Sequence, residues 1–125
     1  VGEVVRALDS LKLTDNTLII FSSDNGPVLD DGYADFANEM LNGHTPAAHL
    51  RGGKYSAFDA GTKVPFIAYW PKNIKPAVSS AAISQVDLYA SLAALTQKPL
   101  AVKEAPDSFD MLDVLLGKSA KGRSY

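Results

Sequence analysis

The chain has 125 residues, 46% hydrophobic and 21% charged, with twelve basic against fourteen acidic side chains and a net charge of −2. This is ordinary globular composition. It is neither that of a disordered chain nor that of a membrane protein, contains no apolar run near the roughly 20 residues of a membrane helix, and its near-balanced charge argues against a nucleic-acid or membrane-surface partner. The absence of cysteine excludes disulfides, thiolate zinc sites and a cysteine nucleophile within these residues.

The opening "VGEVVRALDSLKL" starts mid-pattern and without methionine, so a piece of a longer chain is expected. Val1, Val4, Val5, Leu8 and Leu11 recur at helical spacing and predict a helix over 2–12. "TDNT" (14–17) predicts a turn. Leu18–Ser22 is a short apolar run without alternation, which predicts a parallel strand buried on both faces. Residues 23–63 hold six of the nine glycines, two prolines and both histidines, and show only a short helical pattern near Tyr33–Leu41. So long an irregular stretch in a compact domain is usually functional or disordered. Val64–Trp70 predicts a second strand, with Pro65 at its edge or entry.

A loop over 71–76 precedes Ser84–Leu95, a predicted helix with Val86, Leu88, Tyr89, Leu92 and Leu95 as its apolar face. Ser84 reads as its N-cap and Asp87 as the capping-box acid. Residues 99–108 predict a loop, and Ser108–Leu116 a last helix closed by Gly117. Lys118, Lys121 and Arg123 read as a solvated tail. Two strands and a few helices bury a poor core. The fold class expected is therefore α/β, a fragment with few, mostly parallel strands flanked by helices.

Chemistry concentrates in two motifs. Asp24-Asn25-Gly26-Pro27 follows the first strand, where open α/β sheets bind ligands. A carboxylate and an amide oxygen are hard donors suited to Ca²⁺ or Mg²⁺. The same Asn-Gly pair also suits a plain turn. "LRGGK" (50–54) combines two glycines with Arg51 and Lys54, which suits a phosphate or sulfate, although the spacing is not that of a Walker loop and a plain exposed loop has the same composition. His44 and His49 share this region, and their spacing fits no metal pair on a helix. Each reads as a substrate contact or an ordinary loop histidine. Asp30, Asp31 and Asp35 read as a solvated acidic loop, since the EF-hand pattern fails. Asp59 and Lys63 read as structural pairing or exposed charge, and Tyr55, Phe58, Phe66, Tyr69 and Trp70 as packing residues.

The order of these motifs carries more than each alone. "SSDNG", a polar loop, "LRGGKYSAFDAGTKVPFIAYWP", "SQVDLYASLAAL" and "DSFDMLDVLLGK" together resemble the formylglycine-dependent sulfatases of the alkaline-phosphatase-like superfamily. The resemblance covers nearly the whole chain. It implies a partial sulfatase fold, with residues 1–125 forming the latter, carboxyl-terminal part of a catalytic domain truncated at both ends. One departure is mild: Asp59-Ala60-Gly61 stands where many relatives carry Glu-Gly-Gly, and alanine is tolerated there if its φ is negative. A larger one is the absence of a C/S-x-P-x-R motif, so the formylglycine nucleophile is expected outside this chain.

As implied by the resemblance, Asp24 and Asn25 are calcium ligands, Lys54 is a catalytic and sulfate-binding cation, and His44 touches the substrate or its leaving group. Calcium polarises the sulfate while a formylglycine hydrate attacks sulfur, and Asp24 could help to deprotonate the attacking hydroxyl. The expected substrate is a sulfated small molecule or sulfated glycan. The expected compartment is periplasmic, secreted or lysosomal. Two calcium ligands of the usual six to eight leave the isolated chain inactive on this reading. Exposed sheet edges suggest self-association. Alternatives are a phosphodiesterase or phosphonate hydrolase of the same superfamily, against which Asn25 stands where two-metal relatives often carry histidine, and a non-catalytic binding domain.

Overall fold

The computed structural model describes residues 1–101 and 103–124. Position 102 of the predicted loop 99–108 and position 125 of the tail lie outside the described residues. The chain divides into two compact units, one of residues 1–19 and 68–125, the other of residues 20–67.

In the first unit, α1 (Gly2–Ser10) forms where the apolar spacing predicts it. Its apolar stripe is only partly covered: Val5 and Leu8 are half-buried, whereas Val1, Val4 and Leu11 are exposed. A single 3₁₀ turn, Thr14–Asn16, takes the place of the predicted turn. Thr14 is buried there and donates its hydroxyl to Asp9 Oδ1. The predicted strands form as β1 (Ile19–Ser22) and β2 (Phe66–Tyr69), which pair in a two-stranded sheet. The expectation that the first strand is buried on both faces fails. No residue of β1 is buried and Phe21 is 43% exposed, because among the described residues only these two strands pair and little of the chain covers them.

The predicted helix over 84–95 appears as α3 (Asp87–Leu95), and the last helix as the shorter α4 (Leu112–Leu115). The N-cap expected at Ser84 fails, since the helix begins at Asp87 with Val86 as its N-cap and no side-chain cap bond; what remains of the capping box is the Ser84 N–H bond to Asp87 Oδ2 at 2.8 Å. The expected apolar face holds only in part: Leu88 and Leu95 are half-buried, but Val86, Tyr89 and Leu92 are exposed while Asp87, Ala90 and Ser91 are buried. The cause lies in the segment 108–111, whose backbone crosses this face and needs acceptors. Asp87 Oδ1 accepts from the Phe109 N–H at 2.9 Å and Ser91 Oγ from the Met111 N–H at 2.8 Å. Ser108 Oγ in turn accepts from the Ala90 N–H at 2.9 Å. Leu115 and Leu116 of the α4 region complete the buried apolar set beside Ala90.

Arg123 is not part of a solvated tail. Its Nε donates to Asp87 Oδ2 at 2.8 Å and to Oδ1 at 3.1 Å. Its guanidinium lies 4.4 Å from the centroid of the Phe109 ring, and its backbone N–H reaches Ala82 O at 2.8 Å. Burial alone would push the Asp87 carboxyl up, but the Arg123 guanidinium and the Phe109 and Ser84 N–H groups hold it below the usual carboxylate range.

All three longer helical ends close in the same way. Leu13 N–H reaches Leu8 O and Lys12 N–H reaches Asp9 O after α1, and Lys98→Ala93 with Gln97→Ala94 repeats this after α3. After α4 the pair is Lys118→Asp113 and Gly117→Val114. Each is a Schellman closure with a left-handed residue just past the helix. Gly117 (φ +68) suits that conformation, whereas Lys12 (φ 58) and Gln97 (φ 54) carry a side chain there. Gln97→Gly is therefore expected to stabilise the protein by about 1 kcal/mol, read as a higher midpoint in urea unfolding.

The second unit, residues 20–67, is mostly loop. The helical pattern near Tyr33–Leu41 reduces to one 3₁₀ turn, Glu39–Leu41. Asp31 Oδ1 and Asp35 Oδ1 accept from the N–H groups of Tyr33 and Ala37 in local turns. A short helix that the sequence reading did not separate, α2 (Asp59–Thr62), precedes β2. Ala60 is buried in it with right-handed helical backbone, which meets the condition set for alanine at that position.

Candidate functional site

The polar stretch after β1 is a folded feature, knotted to the glycine-rich loop that lies 25 or more residues downstream. Ser22 Oγ donates to Pro65 O at 3.0 Å and Ser23 Oγ to Asn25 O at 2.9 Å. The Gly26 N–H donates to Gly61 O at 3.0 Å, and the Lys54 N–H donates to Pro27 O at 2.8 Å. Ala60 N–H closes the loop onto Arg51 O at 3.0 Å. Backbone so closely apposed leaves no room for side chains. A Cβ at Gly26 would lie 1.6 Å from Ala60 O, and one at Gly53 would lie 2.5 Å from Pro27 O. Glycine is required at these two positions by close approach of another strand of backbone.

Asp24-Asn25 and Lys54 are thus held on neighbouring backbone. Pro27 follows the first pair by two residues and accepts the N–H of the second motif's lysine. The Asp24 side chain is exposed and Asn25 is half-buried. Asn25 Nδ2 donates to Gly26 O at 2.9 Å, so its amide carbonyl oxygen is directed to acceptor duty. An exposed carboxylate next to an amide oxygen is a donor pair that fits a hard cation such as calcium. Among the described residues, no group of three or more His, Asp or Glu side chains gathers as a metal site.

Part of the backbone of the glycine-rich loop is already engaged: Gly53 N–H donates to Ser56 Oγ at 3.1 Å, Lys54 N–H to Pro27 O, and Ser56 N–H to Gly53 O. The side chains of Arg51 and Lys54 bring positive charge to the loop. Arg51 is stacked on the Phe58 ring at 3.8 Å, while the half-buried Lys54 places Nζ 5.4 Å from the Tyr55 ring centroid. Asp59 and Lys63 form the expected structural pair, an exposed ion pair at 2.8 Å. His44 is exposed, its N–H bonded to Leu41 O, and His49 is also exposed.

Two open clefts meet at Pro27. One, of about 740 Å³, is lined by Ser22, Ser23, Asn25 and Lys63 among apolar neighbours. The other, of about 350 Å³, is lined by Lys54, Tyr55, Asp30 and Thr45. The packing role expected for Tyr55 fails, since it is 81% exposed. Trp70 differs: its Nε1 donates to Asp15 O at 2.7 Å. The positive φ of Tyr55 and the burial of Asp87 are features that no residue pattern announced.

An α/β chain with a strand-end carboxylate–amide pair knotted to a cationic loop is the class defined so far. Comparison with known proteins specifies it. The family model described as Sulfatase matches residues 1–98, and the chain belongs to this family. It is 58% identical over 125 residues to the N-acetylgalactosamine-6-O-sulfatase of Bacteroides thetaiotaomicron, covering 100% of this chain and 24% of that protein. It is 35% identical over 123 residues to human arylsulfatase A, covering 98% of this chain and 22% of that protein. A solved structure from work on the metabolism of multiple glycosaminoglycans by Bacteroides thetaiotaomicron matches with a TM-score of 0.91 at 58% identity, over 98% of this chain and 25% of that one. The crystal structure of Ps i-CgsB in complex with k-i-k-neocarrahexaose matches with a TM-score of 0.72 at 32% identity, over 97% of this chain and 24% of that one. The fold is accordingly part of the alkaline-phosphatase-like sulfatase fold. The chain spans about a quarter of the length of the curated relatives it matches.

Proposed function

We propose that the protein containing this chain hydrolyses sulfate esters, and that Asp24, Asn25, Lys54 and His44 are this chain's contribution to the site. The observation that carries the reading is the Lys54 N–H bond to Pro27 O at 2.8 Å, which fixes the cationic loop against the strand-end donor pair. The Lys54 ammonium would bind a sulfate oxygen and stabilise the negative charge that grows as the ester bond breaks. Asp24 and Asn25 would hold a calcium ion with two oxygens, the remainder of the usual six to eight coming from outside the chain. Such an ion supplies Lewis-acid polarisation of the sulfate, and a formylglycine outside these residues supplies the nucleophile. Asp24, whose side chain is exposed, would also accept a proton from the attacking hydroxyl. His44, on the exposed turn next to Thr45 of the smaller cleft, would meet the leaving group.

The substrate class we propose is a sulfated glycan or small sulfated molecule, supported by the naming of one relative for N-acetylgalactosamine 6-O-sulfate ester hydrolysis and by the oligosaccharide bound to one structural neighbour. The compartment proposed is periplasmic, secreted or lysosomal. The 125-residue chain by itself is expected to be inactive, because nucleophile and most metal ligands would be missing.

The test uses the full-length protein. Peptide mass spectrometry should find an aldehyde on a C/S-x-P-x-R peptide, and the protein should prefer sulfate esters to phosphate diesters. Lys54→Ala should lower kcat/KM by about 10²–10³-fold. An unmodified protein that prefers phosphate diesters, or a Lys54→Ala protein of unchanged kcat/KM, would reject the assignment.

A further inference from the structure

The chain contains two Asn-Gly pairs, Asn25-Gly26 and Asn42-Gly43. Such a pair has a covalent weakness. Glycine has no Cβ to hinder its nitrogen, and that nitrogen can close a five-membered ring on the asparagine amide carbon. The fold treats the two pairs in opposite ways.

Asn42-Gly43 is the tip of the turn Leu41-Asn42-Gly43-His44, closed by the His44 N–H bond to Leu41 O at 2.7 Å. Asn42 has φ 49 and ψ 37, and Gly43 has φ +80. These are the two left-handed residues that a type I′ turn demands. The turn accounts for the residue types and leaves their reacting atoms free. The Gly43 N–H lies outside the closing bond and meets no acceptor among the described residues. Asn42, Gly43 and His44 are all exposed, and nothing lies within 4 Å of the Cβ position of Gly43. A single exposed hydrogen bond closes the turn, so opening it costs little and lets Asn42 rotate toward ring closure.

Asn25-Gly26 is locked. The Gly26 N–H is spent on Gly61 O at 3.0 Å, and Asn25 Nδ2 donates to Gly26 O at 2.9 Å. Gly26 is buried, with Ala60 O only 1.6 Å from its Cβ position. Ring closure there requires the strand end to separate from α2.

We propose that Asn42 is a site of spontaneous deamidation in the folded protein, and that the fold protects Asn25 from the same reaction. The Gly43 nitrogen attacks Asn42 Cγ. The new C–N bond replaces the bond to the amide nitrogen, which leaves as ammonia with the glycine's proton. Water then opens the cyclic imide at either carbonyl. Cleavage at Cγ gives aspartate, and cleavage at the backbone carbonyl gives isoaspartate. One water is consumed, one ammonia is released, and nothing is oxidised or reduced. Both products add a carboxylate to the turn that carries His44. Isoaspartate also lengthens the backbone by a methylene, which disturbs the spacing of the Leu41–His44 bond.

The test holds the full-length protein in mildly alkaline buffer made with heavy-oxygen water, beside a guanidinium-unfolded sample, until both pairs have converted in the unfolded sample. Peptide mass spectrometry should find Asn42 of the folded protein converted to aspartate and isoaspartate, each with one oxygen from the water. Asn25 of the folded protein should convert at least about tenfold more slowly. In guanidinium the two rates should agree within about threefold. Gly43→Ala should suppress conversion at Asn42 in guanidinium too, where turn geometry plays no part. An Asn42 that stays intact in the folded protein, or an Asn25 that converts there as fast, would overturn the proposal. Gly43→Ala with an unchanged rate in guanidinium would reject the attack by the glycine nitrogen. None of these readouts involves sulfate-ester turnover, so they stand or fall apart from the proposed function.

Discussion

Asp87→Ala is expected to destabilise the protein by about 3–5 kcal/mol, the range for removing one partner of a buried ion pair. The Asp87 side chain is 3% exposed and that of Arg123 24%. Its two oxygens accept from Ser84 N–H, Phe109 N–H and twice from Arg123 Nε. Alanine would leave the Ser84 and Phe109 N–H groups and Arg123 Nε without their acceptor, while the Arg123 guanidinium keeps its bond to Asp107 O. Urea unfolding of wild type and variant measures the loss, and a change below about 1 kcal/mol would mean that water replaces the carboxylate without difficulty. The same group sets an acid limit. Its folded-state carboxyl is held below its ordinary value, so its stabilising contribution is complete above the unfolded-state value near pH 4 and is lost as pH falls through the lowered folded value. Arg123→Met should therefore flatten the stability–pH curve below about pH 4, where the wild type falls steeply.

Gly26→Ala is the second large effect expected, a loss of about 3 kcal/mol, the upper part of the overpacking range. A methyl group at 1.6 Å from Ala60 O and 2.9 Å from Gly61 Cα meets the Ala60–Gly61 backbone, with no flexible side chain to yield. Relief requires separating the strand end from α2, which breaks the Gly26–Gly61 hydrogen bond and moves Asn25. On the proposed reading, the sulfate-ester hydrolysis of the full-length protein should fall together with stability here, whereas Lys54→Ala should lower kcat/KM by about 10²–10³-fold at unchanged stability. Thermal unfolding combined with sulfate-ester kinetics on each variant separates the two. A Gly26→Ala protein with wild-type Tm would show that the close approach of these backbones is dispensable.

These outcomes follow from particular residues with unequal signals in the sequence. The helix over Val1–Leu11 and both strands were legible, because periodicity and a short β-rich run act locally. So was the Ser84–Asp87 pairing, since a capping box is a four-residue pattern. The direction of the α3 face was not legible. Leu and Tyr outrank Asp and Ser in any hydropathy pattern, yet Asp87 and Ser91 face inward because a segment some twenty residues away brings N–H groups that need acceptors. The tail was misread for the same reason, since nothing near Arg123 in sequence indicates Asp87 as its partner.

For the candidate site, the sequence alone singled out the candidates: Asp24 and Asn25 after an apolar run, and Lys54 after two glycines. Their order along the chain also sufficed to indicate the family that the comparisons show. Only the tertiary structure decided that Gly26 and Gly53 serve close backbone approach, that Pro27 joins the two motifs, and that Tyr55 is exposed with a positive φ. Residue type fixes what a side chain can donate, accept or hold. Whether a backbone N–H is still available to a ligand depends on which distant carbonyl it has already met, and no local pattern records that.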